Sequence, residues 1–193
     1  MNTPAHLILN AVVLGWGRTG NQWLSILAGA VLPDLPMLAF YLFERFGLGQ
    51  SEERIWSVLY FDPDWQTFFD VFNSLPLIAV GLGVALARRS PAALAFFLSM
   101  ALHVAGDLPL HHDDAHGHFF PFSNWRFESP LSYWDPAHYG TWIGSLEIVG
   151  VIAGSLLLVR RGRPWRIIGL ATLVLYALFG AFALRYWAGL PDV

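Results

Sequence analysis

The chain has 193 residues, 55% hydrophobic and only 13% charged, with a mean hydropathy of +0.49 and a net charge of −3. A soluble domain carries roughly 25% charge, so this chain is too poor in charge to cover a soluble surface, and a bilayer is its expected solvent. No basic patch interleaves with aromatics, which argues against a nucleic-acid partner, and the lack of cysteine excludes disulfides and thiolate metal sites.

Residues 4–17 are apolar and begin at Pro4, which suits a first helical turn with Thr3 as its cap. They are too few to span a bilayer, which takes about 20 residues, so a half-depth or buried helix carrying His6 is expected. Residues 17–21, Gly-Arg-Thr-Gly-Asn, read as a turn. Residues 22–43 are apolar but hold Leu32-Pro33-Asp34-Leu35-Pro36. Two prolines predict a break there. Broken backbone at membrane depth is tolerated only against protein or a wet cavity, so Asp34 is expected to face inward.

Residues 44–66 are a polar connection. The next apolar run, 68–87, carries Asp70 and Asn73 near its start and ends at Arg88-Arg89. Pro91 opens another, to about Leu110, that holds His103 and Asp107. Residues 111–140 form a long loop rich in His, Asp and aromatics. Residues 141–159 carry one charge, Glu147, and a last run extends from about Trp165 to Trp187. The expected fold is all-α: one integral membrane helical bundle with a short N-terminal helix, a Pro-broken helix and three further transmembrane spans. Arg18, Arg88-Arg89 and the Arg160–Arg166 cluster fall in alternate connections. By the positive-inside rule these are cytoplasmic, which puts the His/Asp-rich loop on the periplasmic side of a bacterial inner membrane.

The polar residues of these runs converge in depth. At ~1.5 Å per residue, His6, Asp34, Asp70, Asn73, His103, Asp107 and Glu147 all fall in the outer third of the membrane. Each is costly facing lipid, and intramembrane ionisable groups default to a functional site. His103 and Asp107, at i and i+4, share a helix face and can reach one metal ion. The bland alternatives are a helix–helix hydrogen bond for this pair and a capping carboxylate for Asp34. Five of the seven histidines lie between 103 and 118, and imidazole with carboxylate is the usual ligand set of zinc or manganese.

Thr-Pro-Ala-His6, Ala-Gly-Ala-Val-Leu-Pro-Asp34, Asn73-Ser-Leu, and His103-x-x-x-Asp107 followed by Pro-Phe-Ser at 121–123 stand in fixed order. In this the chain resembles, over about residues 1–125, the LexA-regulated bacterial inner-membrane metal-dependent hydrolases. The resemblance implies a helical membrane protein with His6, Asp34, His103 and Asp107 as metal ligands. The family's third segment has His-Ser-Leu where this chain has Asn73-Ser74-Leu75, and Asn is a poor zinc ligand. Either a histidine of 111–118, His111 or His112 first, substitutes for the missing histidine, or the metal count drops, or the site has lost activity. The expected cofactor is a divalent metal, zinc with manganese as the alternative, with Glu147 or Asp113 as the proton acceptor. The expected partners are the lipid bilayer and a small or lipid-like ester or phosphoester. The alternative function is a non-catalytic metal carrier, sensor or assembly factor.

Overall fold

The computed structural model describes residues 1–17 and 20–187, with side chains to Leu178; Arg18 lies outside the described residues. The described residues are all-helical, with no strand.

Helix α1 (Thr3–Leu14) is capped by Asn2 rather than Thr3, the Asn2 side chain accepting from Ala5 N at 3.0 Å. Helix α2 (Gln22–Val31) passes through a 3₁₀ turn at Leu32–Asp34 into α3 (Leu35–Leu42), which ends in a π turn at Phe43–Gly47. The expected break at Pro33 and Pro36 is therefore a tightened turn in a continuous 26-residue helical stretch. Each proline sits in the first turn of its piece, where no intrahelical N–H is needed. Asp34 makes no capping hydrogen bond, so the capping role does not hold.

The polar connection is not all loop. It holds α4 (Glu52–Ser57), and α5 (Pro63–Phe72) begins earlier than the apolar run. Asp62 and Pro63 start α5: Asp62 accepts from Asp64 N at 2.9 Å, and Pro63 is in the first turn. Ser74 caps α6 (Leu75–Ala87). Then come α7 (Pro91–Asp107), α8 (Gly140–Val159) and α9 (Trp165–Trp187). Among the described residues three helical stretches are long and apolar enough to cross a membrane: Gln22–Gly47, Pro63–Ala87 and Gly140–Val159. Helices α1 and α7 and the described part of α9 are apolar but shorter.

Helix α7 is the centre of the packing. It lies against α2, α6 and α1, while α8 packs on α1 and α9. Gly29 of α2 admits the closest approach, because a methyl there would meet the Phe96 carbonyl oxygen and the Ser99 side chain of α7. Asn10, buried at that level, donates to Ser99 O and Ser99 Oγ at 2.8 Å each, and Ser99 Oγ donates to Ile26 O at 2.6 Å. One polar knot thus ties α1, α2 and α7 a turn away from His6 and His103. At the opposite end of α1 from His6, Arg161 donates to the carbonyls of Ala11 and Val12 and lies 5.0 Å over the Trp16 ring. The α8–α9 arginines therefore gather at one end of α1, and the histidine-rich loop at the other.

Candidate metal centre

Residues 108–139 fold back over the ends of α1, α5 and α7 as an ordered cap. Asp70 anchors it. The Arg126 guanidinium bridges both Asp70 oxygens, at 3.1 and 2.6 Å, and Gly117 N donates to Asp70 Oδ1 at 2.7 Å. Leu75 N donates to His118 O, and Ser74 Oγ to Phe120 O. These bonds satisfy the start of α6 and place the loop's histidines above α7.

Beneath the cap three side chains from two helices converge. His6, His103 and Asp107 each offer one ligand atom, all within 4.8 Å of one another. Both histidines are 0% exposed and Asp107 2%. His6 Nε2 lies 2.7 Å from Asp107 Oδ1, and His103 Nε2 lies 3.0 Å from Asp107 Oδ2. Asp34 Oδ1 approaches His103 Nε2 at 3.4 Å, and Asp34 Oδ2 is buried without a partner.

The tautomer of His103 is fixed by its other nitrogen. Nδ1 lies 2.8 Å from the Ala30 carbonyl oxygen, so the network assigns the ring proton to Nδ1. In its neutral form the ring turns an Nε2 lone pair toward two carboxylates, which as anions have no hydrogen to donate to it. Lone pairs so gathered away from water repel unless a cation, a proton or a metal ion, lies among them. Two imidazole nitrogens and carboxylate oxygens make a donor set suited to zinc, and Ala30 supplies the carbonyl that orients a metal-bound histidine. The residues present therefore fit a divalent ion.

Around this group the cap adds a second tier. His111 Nε2 lies 3.1 Å from Asp107 Oδ1, and its Nδ1 lies 2.9 Å from Asp114 Oδ2. Burial pulls the His111 imidazole down, but its bonds to Asp107 and Asp114 more than offset this and hold its pKa up at about 9. Burial, then the neighbouring His111, pushes His116 down to about 3. Its Nδ1 is buried without a partner, and its ring centroid lies 5.4 Å from that of His111. Burial also lowers His118, whose Nδ1 lies 3.2 Å from Asn73 O. The Met1 amino nitrogen lies 2.6 Å from Asp107 Oδ1.

Not every residue singled out from the sequence joins the group. His112 turns away: its Nδ1 lies 2.6 Å from Ser129 O, and its ring stacks on His138 at 3.6 Å. His138 in turn pairs with Asp135 at 2.7 Å. Glu147 Oε1 accepts from the Asn2 amide and backbone N–H at the start of α1, and its Oε2 is buried without a partner. Asp113 is exposed at the mouth of a cavity of about 660 Å³ that also reaches Asp34, His111 and His116. Asn73 is buried and donates to Phe69 O and Pro33 O, at 3.1 and 3.4 Å, joining α5 to the 3₁₀ turn that carries Asp34. From the sequence, Asp114 and His116 stand only as members of the His/Asp-rich loop, with no separate roles. The i, i+3 spacing of His111 and Asp114 was the available signal.

Compared with protein-family models, with curated proteins and with solved structures, the chain matches none.

Proposed function

We propose that the chain is a multi-pass membrane hydrolase whose divalent metal is held by His6, His103 and Asp107, with Asp34 completing the donor set. The observation that carries this reading is the buried His103 Nε2, aimed at the carboxylates of Asp107 and Asp34 beside the stacked His6 ring. The arginine-bearing turns make the opposite end cytoplasmic. The site then lies near the periplasmic face of the membrane, which the resemblance to the LexA-regulated hydrolases implies is a bacterial inner membrane.

A zinc-class ion supplies Lewis acidity, lowering the pKa of water toward ~7 and polarising an ester or phosphoester oxygen. The chain's own residues do the rest. Hydrolysis adds water oxygen to the acyl carbon or phosphorus and breaks the bond to the leaving oxygen. One proton must be taken from water and one given to the leaving group. Asp113, exposed at the cavity mouth, is assigned to take the first, and His116, whose ring lines the cavity with an unpartnered Nδ1, to orient the water by accepting a hydrogen bond from it. His111 is assigned to give the second, because Asp114 and Asp107 hold it at the junction of cluster and cavity. The Asp70–Arg126 pair keeps the cap closed over the ligands. Glu147, bonded to Asn2, positions the first turn of α1 and through it His6.

Metal analysis of the purified full chain tests this reading, followed by a panel of ester and phosphoester substrates with and without chelator. About one equivalent of zinc or manganese, lost in His103→Ala, together with chelator-sensitive turnover, is the expected result. No bound metal in the wild type would sink the proposal. Bound metal without turnover would leave the carrier or sensor function that Asn73, in place of the expected histidine, favours.

A further inference from the structure

The cavity above the cluster does not end there. A second cleft of about 310 Å³ runs along α3 and meets it at Thr3, Asp34, Met37 and Trp56. Its walls beyond that junction are apolar, Val31, Leu35, Leu38 and Tyr41. Leu35 and Leu38 are themselves half exposed on a helical stretch long and apolar enough to cross a membrane. The cleft therefore opens sideways toward hydrocarbon, with Asp34 at its inner end.

The wider cavity has the opposite chemistry. Asp34, Asp113 and Asp114 line it, and no lysine or arginine does. Its aromatic walls are fixed in place: Trp134 Nε1 donates to Asp114 Oδ2 at 3.0 Å, and Trp56 Nε1 donates to Glu52 Oε2 at 3.1 Å while stacking on Tyr41. Both indoles are exposed, and Asp113 stands beside them with its carboxylate in water. The cationic groups of the lining, the Met1 amino group and His111, are tied to Asp107 and Asp114 at its inner end, which leaves the Asp113 carboxylate and the aromatic faces at the outer end to attract a cation by charge and by the ring quadrupoles. The His116 ring, nine-tenths buried and with a free nitrogen, marks the floor as a polar binding surface rather than packing space.

We propose that the site takes a membrane phospholipid with an ammonium headgroup. Its hydrocarbon chain lies in the α3 cleft, its phosphoester beside Asp34, and its cation among Trp56, Trp134 and Asp113. This names the substrate class of the hydrolase reading and rests on that reading for the reacting linkage. The binding preference does not depend on turnover.

The test uses the full chain in dodecyl maltoside, with intrinsic tryptophan fluorescence as readout. Dodecylphosphocholine, dodecyl phosphate and chain-free phosphocholine are titrated in separate arms. The zwitterionic amphiphile is expected to bind at least about tenfold more tightly than either of the others, a difference of about 1.4 kcal/mol. Asp113→Asn and Trp134→Ala should each narrow the preference over dodecyl phosphate severalfold. Met37→Trp, which fills the junction, should remove the advantage of the chain. Equal affinity for the two dodecyl compounds, or phosphocholine binding as tightly as its dodecyl form, overturns the inference. Repeating the titration on metal-free His103→Ala separates the two proposals. A preserved preference with no turnover in the wild type sinks only the hydrolase, and turnover without the preference sinks only the headgroup assignment.

Discussion

The imidazole rings of His6 and His103 are stacked, 3.6 Å apart and within 13° of parallel, and each sends its Nε2 to a different oxygen of Asp107. Two helices thus present paired nitrogens to a single buried carboxylate. A hydrogen-bonded core histidine needs one partner per nitrogen. Here His6 Nδ1 has none and His103 Nε2 faces oxygens of both Asp107 and Asp34, and a shared cation accounts for the arrangement. His103→Ala is expected to lower metal affinity by more than the ~10–100-fold that loss of an orienting partner costs. His103→Gln should not restore it. Metal content after dialysis against a graded chelator reads the effect, and unchanged retention in His103→Ala would overturn the ligand assignment.

Gly29 controls the same site from a distance. Its contact with α7 at Phe96 and Ser99 sets the α2–α7 spacing, and the next residue, Ala30, carries the carbonyl that orients His103. Gly29→Leu should overpack the interface by about 1–3 kcal/mol. It should also weaken metal binding by about 10–100-fold, as other losses of an orienting partner do. A variant that is destabilised but retains full metal affinity would uncouple Ala30 from the site.

Much of this was legible in the sequence. Bulk hydropathy pointed to an all-helical fold with helices long and apolar enough to cross a membrane. The i, i+4 spacing of His103 and Asp107 put both on one face, and counting residues put His6 at their depth. Three features were not legible. Nothing local says whether Pro33 and Pro36 break the chain or only tighten one turn, since that depends on Asn73 reaching the Pro33 carbonyl from another helix. Nothing in the spacing of Glu147 shows that Asn2, 145 residues away, will hold its carboxylate. The cap over residues 108–139 has no periodicity to read. Its order comes from one long-range ion pair, Asp70 with Arg126, and from side-chain bonds to carbonyls.

That ion pair should control whether the cap closes. Asp70 is buried, with two oxygens committed to Arg126 and one of them also to Gly117 N. Removing the guanidinium strands a buried carboxylate, which typically costs about 3–5 kcal/mol. Arg126 is partly exposed, so the lower end is expected. Arg126→Ala should open the 111–135 segment to limited proteolysis and lower the unfolding temperature. Asp70→Asn in the same chain should recover part of the loss, because no charge is then left unpaired. An Arg126→Ala protein as protease-resistant as the wild type would show that the cap is held by its other bonds.

His116 sets an acid limit on the cap. In the unfolded chain its imidazole takes a proton near its usual pKa of 6.5, while burial, with His111 and His118 adding to it against Asp107 and Asp114, delays this to about 3 in the fold. Between those values the unfolded state binds more protons, so stability falls as pH drops from about 6.5 toward 3 and is insensitive to this group above 6.5. The slope is at most about 1.4 kcal/mol per pH unit for one proton. His118, lowered by burial as well, tilts the profile the same way. His116→Phe cannot titrate and should flatten the acid limb, so the unfolding temperatures of variant and wild type should differ by an amount that changes with pH below 6.5. Thermal unfolding of the two proteins in the same detergent across pH 4–8 measures that difference. Parallel profiles would show that the His116 ring takes up its proton alike in the folded and unfolded chain, and would withdraw its burial as the source of the acid limit.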